Sequence, residues 1–230
     1  KIDKLIKIAK KFNLVTIEDA TEALGTFYKN KHVGTFGEMG VISFNGNKII
    51  TSGAGGMIIS KNKKLQNKAK HLISNAKINH KWEYDHDEIG YNYRMANLNA
   101  ALGYAQFRRF KKILEKKKKV FNFYKNIFYK NKNFSILKPS NNTISNYWLN
   151  TLVIENSKIN KNYLIKIFHK FNIKARPIWK PLHTLKHLRN YPKMPLEITN
   201  KIYKKVISLP SGPNILGKNL KISINKEIKF

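Results

Sequence analysis

The stretch VISFNGNKIITSGAGGMII, residues 41–59, decides the fold that the sequence predicts. Its apolar start predicts a short strand, and a polar turn that carries Lys48 follows. A glycine-rich turn and a second strand, Met57–Ile59, complete it. Most lysines here stand among other lysines, whereas apolar and small turn residues flank Lys48. A lysine in such a pocket can lose its proton and act as an amine nucleophile, which is the chemistry of a Schiff base.

The segment before this stretch predicts part of an open α/β sheet. Residues 1–12 place their apolar side chains on one helical face, and the β-branched run Leu14–Ile17 predicts a strand that ends in Glu18 and Asp19. Ligands of such sheets bind beyond the C-terminal ends of the strands. Because the helix begins at the first residue, we expect that strands which normally precede it are not part of this chain.

Asp19 allows two interpretations. It can be a helix cap or a surface carboxylate, or it can be the partner of a cofactor ring. A carboxylate beside a pyridinium nitrogen keeps that nitrogen protonated, and this pairing is expected in pyridoxal phosphate sites. Its place at a strand end, with a candidate Schiff-base lysine further along the chain, favours the second interpretation.

The composition limits which classes of protein this chain can belong to. A chain of 230 residues with 42% hydrophobic residues and no cysteine predicts a globular protein without disulfides or thiolate metal sites. No apolar run approaches the roughly 18 residues that span a bilayer, so we expect a cytoplasmic protein. The net charge of +32 would suit nucleic acid. However, only five of the 45 basic residues are arginine, so a coding bias towards Lys, Asn and Ile explains the charge at least as well, and nucleic-acid binding is not the expected function.

The block IEDATEALGTFYKNKHVGTFGEMGVISFNGNKIITSGAGGMI resembles the DegT/DnrJ/EryC1/StrS family of pyridoxal-phosphate-dependent sugar aminotransferases. EIGYNYRMANLNAALGYAQ, ARPIWKPLH and SLPSGPNI agree with this resemblance, which runs from Lys1 to about Ile215. It implies a partial fold type I large domain, an open mixed sheet with helices, over residues 1–132. A small C-terminal α+β domain would follow over residues 133–230, and the Lys- and Ile-rich tail from Leu216 matches nothing in the family.

The resemblance also implies roles for individual residues. Lys48 matches the lysine that binds pyridoxal 5'-phosphate covalently and moves protons, and Asp19 matches the partner of the pyridine nitrogen. Glu22 stands where the family often has Gln or His near the 3-hydroxyl, and Ser43 matches a serine that binds the phosphate. Asn92 matches an asparagine that reaches the cofactor of the neighbouring subunit, which implies a homodimer with shared active sites.

The substrates follow from the same resemblance. Glutamate would donate its amino group, and a nucleotide-linked 4-keto-6-deoxy sugar, a precursor of surface glycans, would receive it. Arg176, Trp179 and His183 lie in a Pro-punctuated loop that would face the nucleotide sugar. The alternative for this loop is that Trp179 packs on the core and His183 is a hydrogen-bonded loop residue. No metal is expected, because His80 and His86 fit no ligand spacing.

Two functional alternatives stay open. The chain can be a catalytically inactive fragment that binds nucleic acid or other anions through its basic surface. It can also be a relative that uses the same cofactor for sugar dehydration, although such relatives carry histidine in place of the lysine at position 48.

Overall fold

The computed structural model describes residues 1–216, and residues 217–230, with most of the predicted tail, lie outside this part. The chain forms two compact units. The first combines residues 1–114 with residues 139–148, and the second combines residues 115–138 with the chain from residue 149 onward.

The described residues form six α-helices and ten strands. The helices are α1 (Ile2–Lys11), α2 (Lys63–Leu72), α3 (Asn97–Arg108), α4 (Phe110–Ile127), α5 (Lys161–Lys170) and α6 (Glu197–Lys205). The strands are β1 (Ile17–Asp19), β2 (Phe27–Tyr28), β3 (Lys31–His32), β4 (Met39–Ser43), β5 (Gly56–Ser60), β6 (Phe134–Ile136), β7 (Thr143–Ile144), β8 (Asn150–Ile154), β9 (Arg176–Pro177) and β10 (Val206–Leu209).

The main sheet of the first unit has the order β1-β4-β5. β1 runs parallel to β4, with Asp19 beside Val41, and β4 runs antiparallel to β5. Since β1 and β4 are parallel, their C-terminal ends reach the same edge of the sheet. Asp19 and Ser43, the last residues of the two strands, therefore meet at the edge where ligands of α/β sheets bind.

Glu18 is a buried carboxylate that the sequence did not distinguish from Asp19. Its side chain points inwards from β1 and is 7% exposed. One oxygen accepts the N–H of Gly34 at 2.7 Å, and the other accepts the N–H groups of Phe36 and Gly37. Backbone donors thus compensate the cost of burying this charge. The strand begins at Ile17, later than the predicted start at Leu14, and it contains both acids.

The residues between Met95 and Tyr129 form two helices. α3 ends at Arg108, and α4 begins at Phe110. Gly103 of α3 approaches Ser52 so closely that a Cβ at this glycine would lie 3.2 Å from the Ser52 Cβ. Because Gly103 has no side chain, α3 can pack closely against the glycine-rich turn that follows Lys48.

The second unit is a small α+β domain. Its sheet has the order β6-β8-β10-β9, and all of its pairings are antiparallel. Large side chains that are almost fully buried form its core, among them Phe134, Leu152, Leu164, Phe168 and Ile207. Within residues 1–216, no helix is both long enough and apolar enough to cross a bilayer.

α4 holds the loop after β10 with polar contacts. The Lys117 Nζ donates to the Ser211 carbonyl at 2.7 Å, and the Tyr124 hydroxyl donates to the Pro210 carbonyl at 2.8 Å. Lys117 is only 5% exposed, and this burial lowers the pKa of its amine from 10.5 to about 8. Burial penalises the ammonium form, so the protein loses free energy of folding wherever Lys117 must be charged.

This burial predicts an alkaline gain in stability. Between about pH 8 and about pH 10.5 the unfolded chain binds more protons at this site than the folded one, so the free energy of unfolding rises with pH by on the order of 3 kcal/mol. Urea unfolding at the two ends of this window should show the rise in the wild type and not in Lys117→Met. Lys118→Met, at the exposed neighbouring position, should keep it, and equal slopes in all three proteins would contradict the assignment.

Candidate functional site

Lys48 lies on the turn that leaves β4. Its backbone N–H donates to the Asn45 carbonyl at 3.0 Å, and the Ser52 N–H returns to the Phe44 carbonyl at 2.9 Å. Ile49 and Ile50, which follow the lysine, are 8% and 2% exposed. The turn is thus anchored in the core on its apolar side, and the Lys48 side chain is only 13% exposed.

The amine of Lys48 lies between a carboxylate and an aromatic ring. Its Nζ is 2.9 Å from the Glu22 Oε1 and 4.9 Å from the centre of the Trp148 ring. The Glu22 side chain is 45% exposed. The amine therefore lies between a partly exposed carboxylate and an aromatic ring.

Asp19 is held in its ionised form. Hydrogen bonds from the hydroxyl and the N–H of Thr21 lower the pKa of the Asp19 carboxyl, and the positive charge of Lys48 lowers it further, against a raising contribution from burial. The Thr21 N–H donates to the Asp19 Oδ1 at 3.2 Å. The Asp19 carboxyl, whose pKa is lowered, and the Lys48 amine thus act on each other electrostatically.

Ser43 ends β4 at the same edge. It is half-buried, and its Oγ accepts the N–H of Asn45 at 3.3 Å. The backbone opposite is glycine-rich: Gly53 and Gly55 have φ values of +82° and +93°, which favour glycine. A hydroxyl beside a glycine-rich turn offers the kind of small donor set that suits a phosphate.

Asn92 lies elsewhere in the first unit. It pairs with Ser74 in a short bridge, and it lines a groove of about 1060 Å³ together with Arg94, Met95 and the strand β5. The structure thus brings Asp19, Glu22 and Lys48 together. The role of Asn92 across a subunit interface stays a prediction.

The three residues predicted to contact the substrate belong to the second unit. Arg176 is in β9 beside Ser208, and its side chain is exposed. Trp179 is 66% exposed, so it is not part of the core of this unit. His183 lies in a 3-10 helix, Leu182–Thr184, and its Nε2 is 2.9 Å from the Asn200 Oδ1.

Sequence reasoning missed two groups. Trp148 contacts Lys48 from 100 positions further along the chain, and no local pattern marks it. A cluster of His71, Asp87 and Glu88 places its three candidate ligand atoms within 4.8 Å of one another. However, the Lys68 Nζ lies 2.5 Å from both oxygens of Glu88, so an ammonium already neutralises this carboxylate.

Comparison with known proteins decides the family. The model of the DegT/DnrJ/EryC1/StrS aminotransferase family matches residues 1–225. This chain belongs to that family. The match continues past Ile215, where the resemblance of the sequence motifs was expected to end.

Relatives of the DegT/DnrJ/EryC1/StrS chain extend over almost all of it. A protein of Bacillus subtilis strain 168 called a putative pyridoxal phosphate-dependent aminotransferase, EpsN, is 37% identical over 219 residues, which are 94% of this chain and 56% of EpsN. The GDP-perosamine synthase of Escherichia coli O157:H7 is 34% identical and covers 93% of this chain and 57% of its own length. The chain therefore spans somewhat more than half the length of these curated relatives.

A solved relative confirms the fold. PseC of Helicobacter pylori, an aminotransferase involved in the biosynthesis of pseudoaminic acid, superposes with a TM-score of 0.91 at 27% identity. The superposition covers 97% of this chain and 61% of PseC. The expected partial fold type I architecture, followed by a small α+β domain, is thus the one observed. The family is one of pyridoxal-phosphate-dependent aminotransferases, as the name of EpsN states.

Proposed function

We propose that the protein to which this chain belongs is a pyridoxal-phosphate-dependent aminotransferase. It would move an amino group from glutamate to a nucleotide-linked 4-keto-6-deoxy sugar in the synthesis of surface-glycan precursors. The observation that carries the proposal is the environment of Lys48. Its side chain is largely buried, its Nζ is 2.9 Å from the Glu22 carboxylate, and its positive charge lowers the pKa of the Asp19 carboxyl.

The residues at this edge fit the cofactor chemically. When bound, pyridoxal phosphate supplies an aldehyde that condenses with amines and a ring that withdraws electrons. Lys48 offers the amine for the aldehyde, and the ionised Asp19 offers the counter-charge for a protonated ring nitrogen. Ser43 offers a hydroxyl for the phosphate, and Glu22 is a carboxylate within hydrogen-bond distance of the amine.

Lys48 would also move the proton that transamination requires. Its Nζ can take up a proton from a bound amino acid and return it to a neighbouring atom, because a lysine amine changes its charge when its surroundings change. Glu22 would orient that Nζ by its hydrogen bond. The 13% exposure of the lysine side chain would limit exchange of the proton with bulk water.

The substrate class rests on the relatives and on the second unit. GDP-perosamine synthase acts, by its name, on a nucleotide-linked sugar. Arg176, Trp179 and His183 offer a guanidinium, an aromatic face and an imidazole, which suit a pyrophosphate and a sugar or base. Asn92 would reach the cofactor of a second copy in a homodimer.

The direct experiment is the first half-reaction. The chain is incubated with pyridoxal phosphate and glutamate, and 2-oxoglutarate is measured together with the cofactor that stays with the protein after gel filtration. Release of 2-oxoglutarate in proportion to the protein supports the proposal. If the chain retains no cofactor and releases no 2-oxoglutarate, the proposal is wrong for this chain. That result would favour a non-catalytic basic protein, whose nucleic-acid binding would weaken steeply with salt.

Asp19→Asn tests the ring partner. The amide has the same shape but no charge, so it cannot hold a proton on the ring nitrogen. We expect the rate of 2-oxoglutarate formation to fall about a hundredfold or more, since loss of one partner of a charge pair costs several kcal/mol. Asp3→Asn removes the charge of an exposed carboxylate paired with Lys29 and should leave the rate unchanged. An unchanged rate in Asp19→Asn would remove Asp19 from the site.

A further inference from the structure

A segment about one hundred positions after Lys48 in the chain contacts the Lys48 turn. We call residues 143–148 the clasp. It begins as strand β7, which pairs with β2 so that Thr143 lies beside Tyr28. The clasp is therefore tied at its start to the first unit, although it follows the long helix α4 in the chain.

Asn146 fixes the middle of the clasp to the loop that carries Glu22. Its side chain is almost fully buried, at 4% exposure. The amide nitrogen donates to the Glu22 carbonyl at 2.8 Å and to the Leu24 carbonyl at 3.0 Å, and the backbone N–H donates to the Thr26 hydroxyl at 3.2 Å. One residue thus fixes the backbone on both sides of Ala23.

The backbone of the clasp is strained at Tyr147. Its φ is +51°, a value that bulky residues seldom adopt. Two side chains support this conformation: the Ser145 Oγ accepts the Tyr147 N–H at 3.0 Å, and the Asn146 Oδ1 accepts the Trp148 N–H at 2.9 Å. Strained conformations persist where the surroundings over-determine them, and they cluster at functional sites. Here the strained residue directly precedes Trp148.

Trp148 makes one contact through its indole N–H and one through the face of its ring. The indole N–H donates to the Asn47 carbonyl at 2.8 Å, next to the lysine in the chain. The ring itself lies 4.9 Å from the Lys48 Nζ, within the range of a cation–π contact. The flexible lysine side chain would otherwise sample many rotamers, and the ring restricts it to those that place the amine beside Glu22.

We propose that Trp148 is a positioning residue for the Lys48 amine, and that the clasp holds it in place. The inference rests on the proposed function, since it assigns Trp148 to the reaction of that amine with the cofactor aldehyde. In that reaction the Lys48 amine would condense with the aldehyde that bound pyridoxal phosphate supplies, and the aldehyde oxygen would leave as water. Trp148 takes no part in these bonds and acts through the orientation of Lys48.

The experiment measures how fast pyridoxal phosphate reacts at Lys48. Samples are quenched with borohydride at successive times, and peptide mass spectrometry quantifies the reduced adduct at Lys48 relative to the exposed Lys170. For Trp148→Leu we expect the rate at Lys48 to fall about tenfold with the rate at Lys170 unchanged. Trp148→Phe keeps an aromatic face and should restore most of the rate. Trp82→Leu, which removes a 72% exposed tryptophan of the same unit, should match the wild type.

The adduct at Lys48 tests the proposed function and the positioning role of Trp148 separately. If Lys48 of the wild type gains no adduct, the proposed function is wrong for this chain. If Lys48 reacts in the wild type and equally fast in Trp148→Leu, Trp148 has no positioning role. Circular dichroism and thermal melting identify a variant that does not fold. If Trp148→Leu does not fold, the positioning role is tested by comparing folded Trp148→Phe with the wild type. A tenfold slower reaction in the phenylalanine variant would overturn the inference.

Discussion

Lys48→Ala is expected to abolish the covalent adduct with pyridoxal phosphate at the candidate site and all release of 2-oxoglutarate from glutamate. Alanine removes both the nucleophile and the group that moves the proton, and a missing nucleophile typically costs several orders of magnitude in rate. The measurement is the visible absorption of protein-bound cofactor, followed by borohydride reduction and peptide mapping. Mapping is essential because the chain has 45 basic side chains, most of them lysines that can react slowly at the surface.

Two further variants make this test specific. Lys48→Arg keeps a positive charge beside Glu22 but has no amine that can condense with an aldehyde, so it should behave like the alanine variant. Lys118→Ala, at an exposed position of α4, should retain the adduct and the activity. A wild-type adduct that maps mainly to lysines other than Lys48 would contradict the proposed site.

Glu18→Ala is expected to destabilise the first unit strongly. The substitution leaves the N–H groups of Gly34, Phe36 and Gly37 without their present acceptor. An unsatisfied buried donor costs about 1–3 kcal/mol, so we expect the free energy of unfolding in urea to fall by about 4 kcal/mol. Such a loss is a large part of the stability of an ordinary domain.

Matched variants separate this effect from a general effect of charge. Glu38→Ala removes an exposed carboxylate from the same region and should change the stability by no more than a few tenths of a kcal/mol. Glu18→Gln keeps one acceptor oxygen and should lie between the other two. A Glu18→Ala protein as stable as Glu38→Ala would show that these three donors do not depend on Glu18.

The sequence predicted the Lys48 region well because the signals there are local. An apolar run, a polar turn and a run of glycines specify a strand, a turn and a strand whatever the rest of the chain does. The structure places β4 and β5 on either side of Lys48, with the lysine largely buried. The parallel pairing of β1 with β4 then explains why Asp19 and Ser43 share an edge.

The different roles of Glu18 and Asp19 could not be predicted in the same way. Both are acids at the end of one apolar run, and only the backbone donors of residues 34–37 decide which of them points inwards. Those donors belong to a loop whose path depends on tertiary packing. Trp148 was missed for the same reason, since its contacts join residues about one hundred positions apart.

Several expectations stay predictions. These are the roles of Asn92, Arg176, Trp179 and His183, and the domain boundary between residues 132 and 133. The same holds for the homodimer and for the cytoplasmic location.

The position of the clasp has a consequence for the order in which the protein folds on the ribosome. Trp148 is translated about one hundred residues after the lysine turn, so the Lys48 amine lacks its aromatic contact while α2, α3 and α4 are made. Closing a contact of such long range is slow compared with helix formation. A nascent chain arrested before residue 148 should therefore already contain its first helices and still expose Lys48 to small aldehydes.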